Sequence, residues 1–238
     1  DIARLRHETA MIFQDPYTAL NPRQSIGQIL AEVLQVQRKV PAGNVAARVE
    51  ELLTLVGLRP ELADRKPRSL SGGQCQRVGI ARALAIEPRL IVADECVAAL
   101  DVSIQGQIIN LLLELRERMN LALLFITHDL TVVRRLCDRV AVMYLGRIVE
   151  EGPVHEVFDS PRHPYTAALL QSIADIDPAR RLPEQPLPGE PPSPLHLPSG
   201  CAFHPRCRHA LPACREASPP THALGARRYT CVHPEPLY

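Results

Sequence analysis

The sequence predicts an α/β fold built on a parallel sheet, and three stretches carry that expectation. Leu70-Ser71-Gly72-Gly73-Gln74 sets a hydroxyl and two glycines ahead of a helical pattern of Gln76, Val78, Ile80, Ala81, Ala83 and Leu84. Such a helix start leaves N–H groups able to hold an anion. The apolar run Leu90-Ile91-Val92-Ala93 closes on Asp94 and Glu95. It reads as a buried strand delivering acid to the sheet edge where α/β proteins place their sites. A further apolar run, Ala122 to Ile126, follows a helical stretch. Strand, helix and strand form a βαβ unit, for which a right-handed crossover is expected.

The other elements follow from local pattern. Ala10-Met11-Ile12-Phe13 reads as a buried strand that stops at Gln14-Asp15-Pro16, because proline cannot donate to a ladder. Asn21-Pro22 marks a turn. Ile26, Ile29, Leu30, Val33 and Leu34 recur at helical spacing, predicting a helix from Ile26 to Val36. Val45, Val49, Leu52, Leu53 and Val56 predict a second helix, with Gly57 placed to end it. Pro88 interrupts the glycine-led helix before the acid-tipped strand. The next helix is expected from Ser103 to Met119, with Ser103 at its start and Ile104, Ile108, Leu111, Leu112 and Leu115 on one face. A short helix is expected from Leu130 to Leu136. Strands at Arg139–Tyr144 and Arg147–Glu151 then join through Gly146 as a hairpin. Helical signals return at Val154–Phe158 and Tyr165–Ile173. From Pro178 to Pro198 nothing is periodic, and an extended linker is expected.

Composition bounds the class. The chain has 238 residues, 46% of them hydrophobic, enough for one large or two small globular domains. Lys+Arg (27) and Asp+Glu (26) nearly cancel, so net charge gives no sign of nucleic-acid or acidic-membrane binding. No apolar run approaches bilayer length and no signal-peptide pattern is present, so any membrane link is expected through a partner. Of the 23 prolines, six lie before residue 153 and seventeen from it onward, which marks a regular body and an irregular tail. Cys201, Cys207, Cys214 and Cys231 crowd into that tail and read as metal ligands before disulfides.

Ser-Gly-Gly alone is commonly a flexible turn, and adjacent acids after an apolar run are commonly a solvated strand end. Buried without use or solvation, however, such acids cost stability. Here the two features lie about twenty residues apart and lead into Ala99-Leu100-Asp101 and Thr127-His128-Asp129. That order resembles the nucleotide-binding subunits of ABC transporters, a family of magnesium-dependent ATPases. The resemblance implies a partial P-loop NTPase core of ABC type over residues 1–152, with a helical subdomain at about 24–72, and a Cys-rich extension over 153–238. It implies that Asp94 holds Mg2+, that Glu95 is the general base, and that Gln14 reaches a magnesium-bound or attacking water. It makes His128 the residue that contacts the γ-phosphate of ATP and Asp101 the residue of the D-loop. Ser71, Gly72, Gly73 and Gln74 become the signature loop, which serves the ATP bound by a partner subunit. The glycines permit backbone approach and the helix start supplies positive potential.

Two residues depart from the family pattern: Cys96 stands where proline is usual after the base, which is expected to loosen the turn, and Cys75 follows the signature glutamine. Gly-x-x-x-x-Gly-Lys-Ser/Thr, the phosphate-binding loop, occurs nowhere, and the two lysines, Lys39 and Lys66, follow no such loop. The expectation is a fragment of a longer subunit, inactive alone, whose missing strand sits at the sheet centre beside the Asp94 strand.

Phe13-Gln14-Asp15-Pro16-Tyr17 with Leu20-Asn21-Pro22-Arg23, Ser160-Pro161-Arg162-His163-Pro164-Tyr165-Thr166 and the Gly200–Cys207 stretch resemble the oligopeptide, dipeptide and nickel importer branch. This implies an ATP-hydrolysing subunit powering uptake across the inner membrane, peripheral on its cytoplasmic face. Its partners would be a second ABC ATPase subunit, two transmembrane permease subunits and an extracytoplasmic substrate-binding protein, with no nucleic acid. The tail thiols, spaced by five, six and sixteen residues, suit a Cys₄ zinc site, a 4Fe–4S cluster or free structural thiols. The resemblance favours the iron–sulfur cluster. The alternative function is a non-catalytic interaction or regulatory subunit whose signature loop completes a partner's ATP site. A DNA-repair ATPase of related fold would need a long coiled-coil insertion, which the chain does not contain.

Overall fold

The computed structural model describes residues 2–37, 40–172 and 187–233. The chain divides into two compact units, Asp1–His128 and Asp129–Tyr238. The proline shift at residue 153 falls inside the second of these, at the end of a strand.

In the first unit, α1 (Ile2–Glu8) leads into β1 (Thr9–Ile12). β1, β2 (Leu90–Asp94) and β3 (Ala122–Ile126) form a parallel sheet in that order, with Ile12 beside Ala93 and Asp94 beside Ile126. All three strands therefore end on one edge. The order corrects one expectation: β2 is paired on both sides, by β1 and β3, so no further strand can lie beside the Asp94 strand. An added strand can join only where a ladder is open, outside β1 or β3. One face of β1 and β2 is buried through Ala10, Ile12, Ile91 and Ala93. On the other face Met11, Leu124 and Ile126 are 39%, 52% and 46% exposed, although parallel sheets are ordinarily covered on both sides.

Between β1 and β2 the chain builds helices. α2 (Ile26–Gln37) and α3 (Val45–Leu55) bury Ile26, Ile29, Leu30, Leu34, Val45, Val49, Leu52 and Leu53. Full burial of each such side chain stabilises by about 1.5–3 kcal/mol. Gly57, at φ 71°, ends α3 as its place in the sequence requires, and Arg77 Nη1 donates to the Val56 carbonyl at 2.6 Å. Short 3₁₀ turns at Pro60–Asp64 and Pro67–Ser69 return the chain, and Ile26 N donates to Arg65 O at 2.8 Å. α4 (Gly72–Leu84) follows, then β2, then α5 (Val102–Met119) as the crossover to β3. α5 starts earlier than Ser103: Asp101 is its N-cap residue, and Asn120 in the left-handed conformation ends it.

The second unit opens on α6 (Leu130–Leu136), capped by Asp129, whose Oδ1 accepts from Thr131 N and Val132 N. β4 (Arg139–Tyr144) and β5 (Arg147–Pro153) form the expected hairpin, its turn at Leu145 and Gly146 using two positive φ angles. α7 (Val154–Asp159) and α8 (Pro164–Gln171) follow. Of the expected linker, residues 178–186 lie outside the described residues, and 187–198 contains turns without helix or strand. The tail is more regular than its composition suggests. After α9 (Ala213–Glu216), β6 (Thr221–Leu224) and β7 (Arg227–Thr230) form a hairpin through Gly225. β7 pairs with β5, giving an antiparallel sheet β4-β5-β7-β6. Val142, Tyr144, Val149, Val157, Ala202 and Phe203 form its core. Among the described residues no helix is long and apolar enough to cross a membrane.

Candidate functional site

Gln14, Glu95 and His128 follow the three strands of the first unit, and the structure brings their side chains together at the carboxyl edge. Gln14 Nε2 donates to Glu95 Oε2 at 2.6 Å. His128 Nδ1 lies 3.0 Å from Glu95 Oε1. Both carboxylate oxygens are thus engaged, while the Glu95 side chain stays 29% exposed and His128 77% exposed. Glu95 N donates to Ile126 O at 2.9 Å, so the strand ladder itself holds the base of the side chain.

Glu95 sits at φ 44°, a left-handed conformation that costs a non-glycine residue about 1–2 kcal/mol. Such strain persists where surrounding structure enforces it, and it concentrates at functional positions. Here it turns the Glu95 side chain out of the alternation that would follow Asp94. The turn beyond is closed by Ala98 N donating to Glu95 O at 3.0 Å. Cys96 is buried there, and burial pushes its thiol up to about 12. Asp94 ends β2 half-buried. Asp101 is exposed and makes no side-chain cap bond to α5.

Ser71 to Gln74 form a different structure. Ser71 is the N-cap of α4: its Oγ accepts from Gln74 N at 3.3 Å, and its N donates to Gln74 Oε1 at 2.9 Å. This capping box satisfies two helix-terminal donors reciprocally. Close approach explains the glycine at position 73, where a Cβ would stand 2.7 Å from Ile104 Cγ2 of α5. Cys75 is buried against the Pro67 carbonyl, and burial raises its thiol to about 11, which keeps it protonated and unreactive at neutral pH.

Two residues near the site had only a weak sequence signal. Tyr17, three residues past Gln14, donates its hydroxyl to Leu70 O at 3.3 Å. Arg82, on α4, donates through Nη1 to Ala19 O and lies 5.9 Å from the Phe13 ring centroid. An arginine placed among the apolar positions of α4 was the available hint.

In the tail, Cys201, Cys207, Cys214 and Cys231 are all unbridged. Cys201 N donates to Cys214 O at 2.8 Å, and Leu211 N approaches Cys214 Sγ at 3.4 Å. Burial is the first cause raising Cys201, Cys207 and Cys231; backbone hydrogen bonds lower each in part, and the nearness of other tail cysteines raises them further. The thiols thus share one neighbourhood. Among the described residues, however, no three cysteines, histidines or carboxylates are grouped closely enough to hold a metal ion as they stand.

Residues 1–98 match the family model described as ABC transporter, and residues 149–214 match the oligopeptide/dipeptide transporter C-terminal region. The chain is 50% identical, over 96% of its length, to the probable peptide ABC transporter ATP-binding protein y4tS of Sinorhizobium fredii. It is 48% identical, over 98%, to the oligopeptide transport ATP-binding protein OppF of Salmonella typhimurium. It is 45% identical, also over 98%, to the di/tripeptide transport ATP-binding protein DppF of Pseudomonas aeruginosa. It spans 65%, 71% and 72% of the lengths of these three relatives. Among solved structures, cbiO1 of Clostridium perfringens, part of the ABC transporter complex cbiONQ, matches with a TM-score of 0.60 and 34% identity, over 66% of this chain and 62% of that one. The chain belongs to the ATP-binding proteins of ABC transporters, on the branch that carries the oligopeptide/dipeptide transporter C-terminal region.

Proposed function

We propose that this chain is part of the ATP-binding and ATP-hydrolysing subunit of a peptide importer, with dipeptides and nickel as further cargo classes of the branch. The observation that carries the reading is the convergence of Gln14 and His128 on Glu95 at the carboxyl edge of the parallel sheet. A carboxylate held by an amide and an imidazole nitrogen and partly open to solvent suits a general base, and Glu95 takes the proton of the attacking water. Gln14, whose amide nitrogen is committed to Glu95, turns its oxygen to that water or to a cation. His128 hydrogen-bonds the γ-phosphate of ATP. Asp94 and the Gln14 oxygen are hard donors that fit Mg2+, which when bound neutralises the phosphate charge. Ser71, Gly72, Gly73 and Gln74, with Asp101, act on the nucleotide of the partner ATPase subunit.

Residues 1–152 form the ATPase part in this reading, with the 24–72 helical subdomain, and 153–238 form the branch-specific extension. The subunit would sit against two transmembrane permease subunits on the cytoplasmic face of the inner membrane, with an extracytoplasmic binding protein delivering cargo. The relatives' names support peptide transport, and the absence of a spanning helix among the described residues fits a peripheral place.

The test is hydrolysis. The chain of residues 1–238 contains no Gly-x-x-x-x-Gly-Lys motif, so purified alone it is expected to release no phosphate from Mg-ATP above background. Robust activity abolished by Glu95→Gln would overturn that. A second reading rests on the intact Ser71–Gln74 stretch beside the lack of a phosphate-binding loop motif: this chain completes an intact partner's site without hydrolysing. Added to such a partner, it should then raise the partner's rate, and Ser71→Arg should remove the gain.

For the tail we propose the 4Fe–4S cluster over zinc. What supports it is the likeness of the Gly200–Cys207 stretch to the importer branch; the described residues as they stand gather no group for either zinc or a cluster. Iron and sulfide in an anaerobic preparation, with visible absorbance lost in Cys231→Ser, support it. Zinc alone would sink it.

A further inference from the structure

We propose that Tyr17 is a positioning residue of the signature loop, setting where Ser71–Gln74 stand relative to the Gln14–Glu95 contact. The proposal rests on the reading of that loop as part of a nucleotide site.

The segment after β1 is built stiff. Pro16 is buried and fixes its own backbone. Asp15 Oδ1 accepts from Tyr17 N at 2.9 Å, and Asp15 O accepts from Ala19 N and from Thr18 Oγ1, both at 3.2 Å. Gln14 and Tyr17 are therefore the two ends of one short turn. One end holds Glu95 through the Gln14 amide, and the other holds Leu70 O through the Tyr17 hydroxyl. Arg82 clamps the same segment to α4 from below, through Ala19 O and Phe13.

Leu70 is the residue before the N-cap. Ser71 and Gln74 satisfy each other, so the internal geometry of the cap does not need Tyr17. What Tyr17 supplies is location. Gly72 lies against it: a Cβ there would come 3.9 Å from Tyr17 Oη and 3.4 Å from Leu100 Cδ2. The loop, the segment from Gln14 and the residue preceding Asp101 thus meet at one point. Tyr17 is 47% exposed, so its ring is not part of the core. Its hydroxyl is a polar tether on the surface, and a displacement of Gln14 at Glu95 travels through it to the loop that faces the partner's nucleotide.

The experiment uses Tyr17→Phe, which keeps the ring and removes the tether, in the transporter complex containing the full-length gene product and its ATPase partner. Losing one neutral hydrogen bond that matters only in the working geometry should lower kcat for ATP about three- to tenfold, with KM unchanged. Amide exchange at Gln74 and Cys75, which are held within the cap itself, should stay unchanged, as should the melting temperature. Wild-type kcat in Tyr17→Phe would overturn the assignment. So would a kcat loss that only tracks a lowered melting temperature, because that marks a structural role. Ser71→Arg is measured beside it. If Ser71→Arg leaves hydrolysis intact, the loop reading itself falls. If Ser71→Arg abolishes hydrolysis while Tyr17→Phe is normal, only the Tyr17 assignment falls.

Discussion

Glu150 on β5 is buried together with Arg227 of β7, their side chains 0% and 4% exposed and 2.6 Å apart. The carboxylate also accepts from Arg162 N and His163 N, and Arg227 Nη2 reaches Ser160 O. The carboxylate oxygens are satisfied, although Arg227 Nε is buried without a partner among the described residues, and removing one member of a buried pair strands a charge. Arg227→Met is therefore expected to destabilise by about 3–5 kcal/mol in chemical denaturation. Glu150→Gln added to Arg227→Met should recover most of the loss, because the amide oxygen still serves the two backbone donors. An unchanged midpoint in Arg227→Met would show that the pair is not buried in solution. His163, beside this pair, is held neutral by burial at a pKa of about 4, and its Nδ1 accepts from Tyr165 N. The unfolded imidazole binds its proton near the ordinary 6.5, so the unfolded state takes up protons first as pH falls. Stability from His163 is complete above pH ~6.5 and is lost towards pH ~4, by about 3 kcal/mol over the window. His163→Gln should flatten that part of a stability–pH curve, and an equal slope in the variant would refute the assignment.

At the scale of elements, strands and helices with strong period were legible, and their joints were less so. β2, β3, α2 and α3 follow from apolar spacing because burial of one face decides them. α5 starts at Val102, one residue before the expected Ser103, because serine and aspartate cap about equally well and Asp101 and Ser103 lie two residues apart. In the structure the Asp101 backbone occupies the cap place while its carboxylate makes no cap bond. The β6–β7 hairpin was missed because each strand has four residues and β7 gets its place from β5, far away in sequence. Glycine 152 shows how close that pairing is: a Cβ would stand 2.5 Å from Arg227 Cγ and 3.3 Å from its Cα. Gly152→Ala is expected to cost about 1–3 kcal/mol through overpacking, measured by the denaturation midpoint. A neutral result would mean that β7 can shift along β5. The candidate site was legible as a set of strand-end residues. The Tyr17 contact was not, since no pattern in the chain marks which carbonyl a half-exposed hydroxyl will find.

For the whole molecule, the informative surface is the face of the parallel sheet that is exposed among the described residues of the first unit. Met11, Leu124 and Ile126 lie on it, with Phe13 just beyond β1, also exposed. Contiguous apolar surface of this kind promotes association. Residues 1–238 purified alone should therefore associate with rising concentration in sedimentation velocity. Leu124→Lys with Ile126→Lys should shift the population towards monomer. A chain that stays monomeric, with no fluorescent-dye binding to exposed apolar surface, would show that the face is covered in solution.

The pairing of β5 with β7 also carries a consequence for how the protein is made. Glu150 and Arg227 are 77 residues apart, and the carboxylate leaves the ribosome first. At typical synthesis rates the cation follows about 4–15 s later. Through that interval the β4–β5 hairpin has an acid at a position that will be dry, with no counter-charge, and an open β5 edge. The β5–β7 pairing must wait until Arg227–Thr230 have been made.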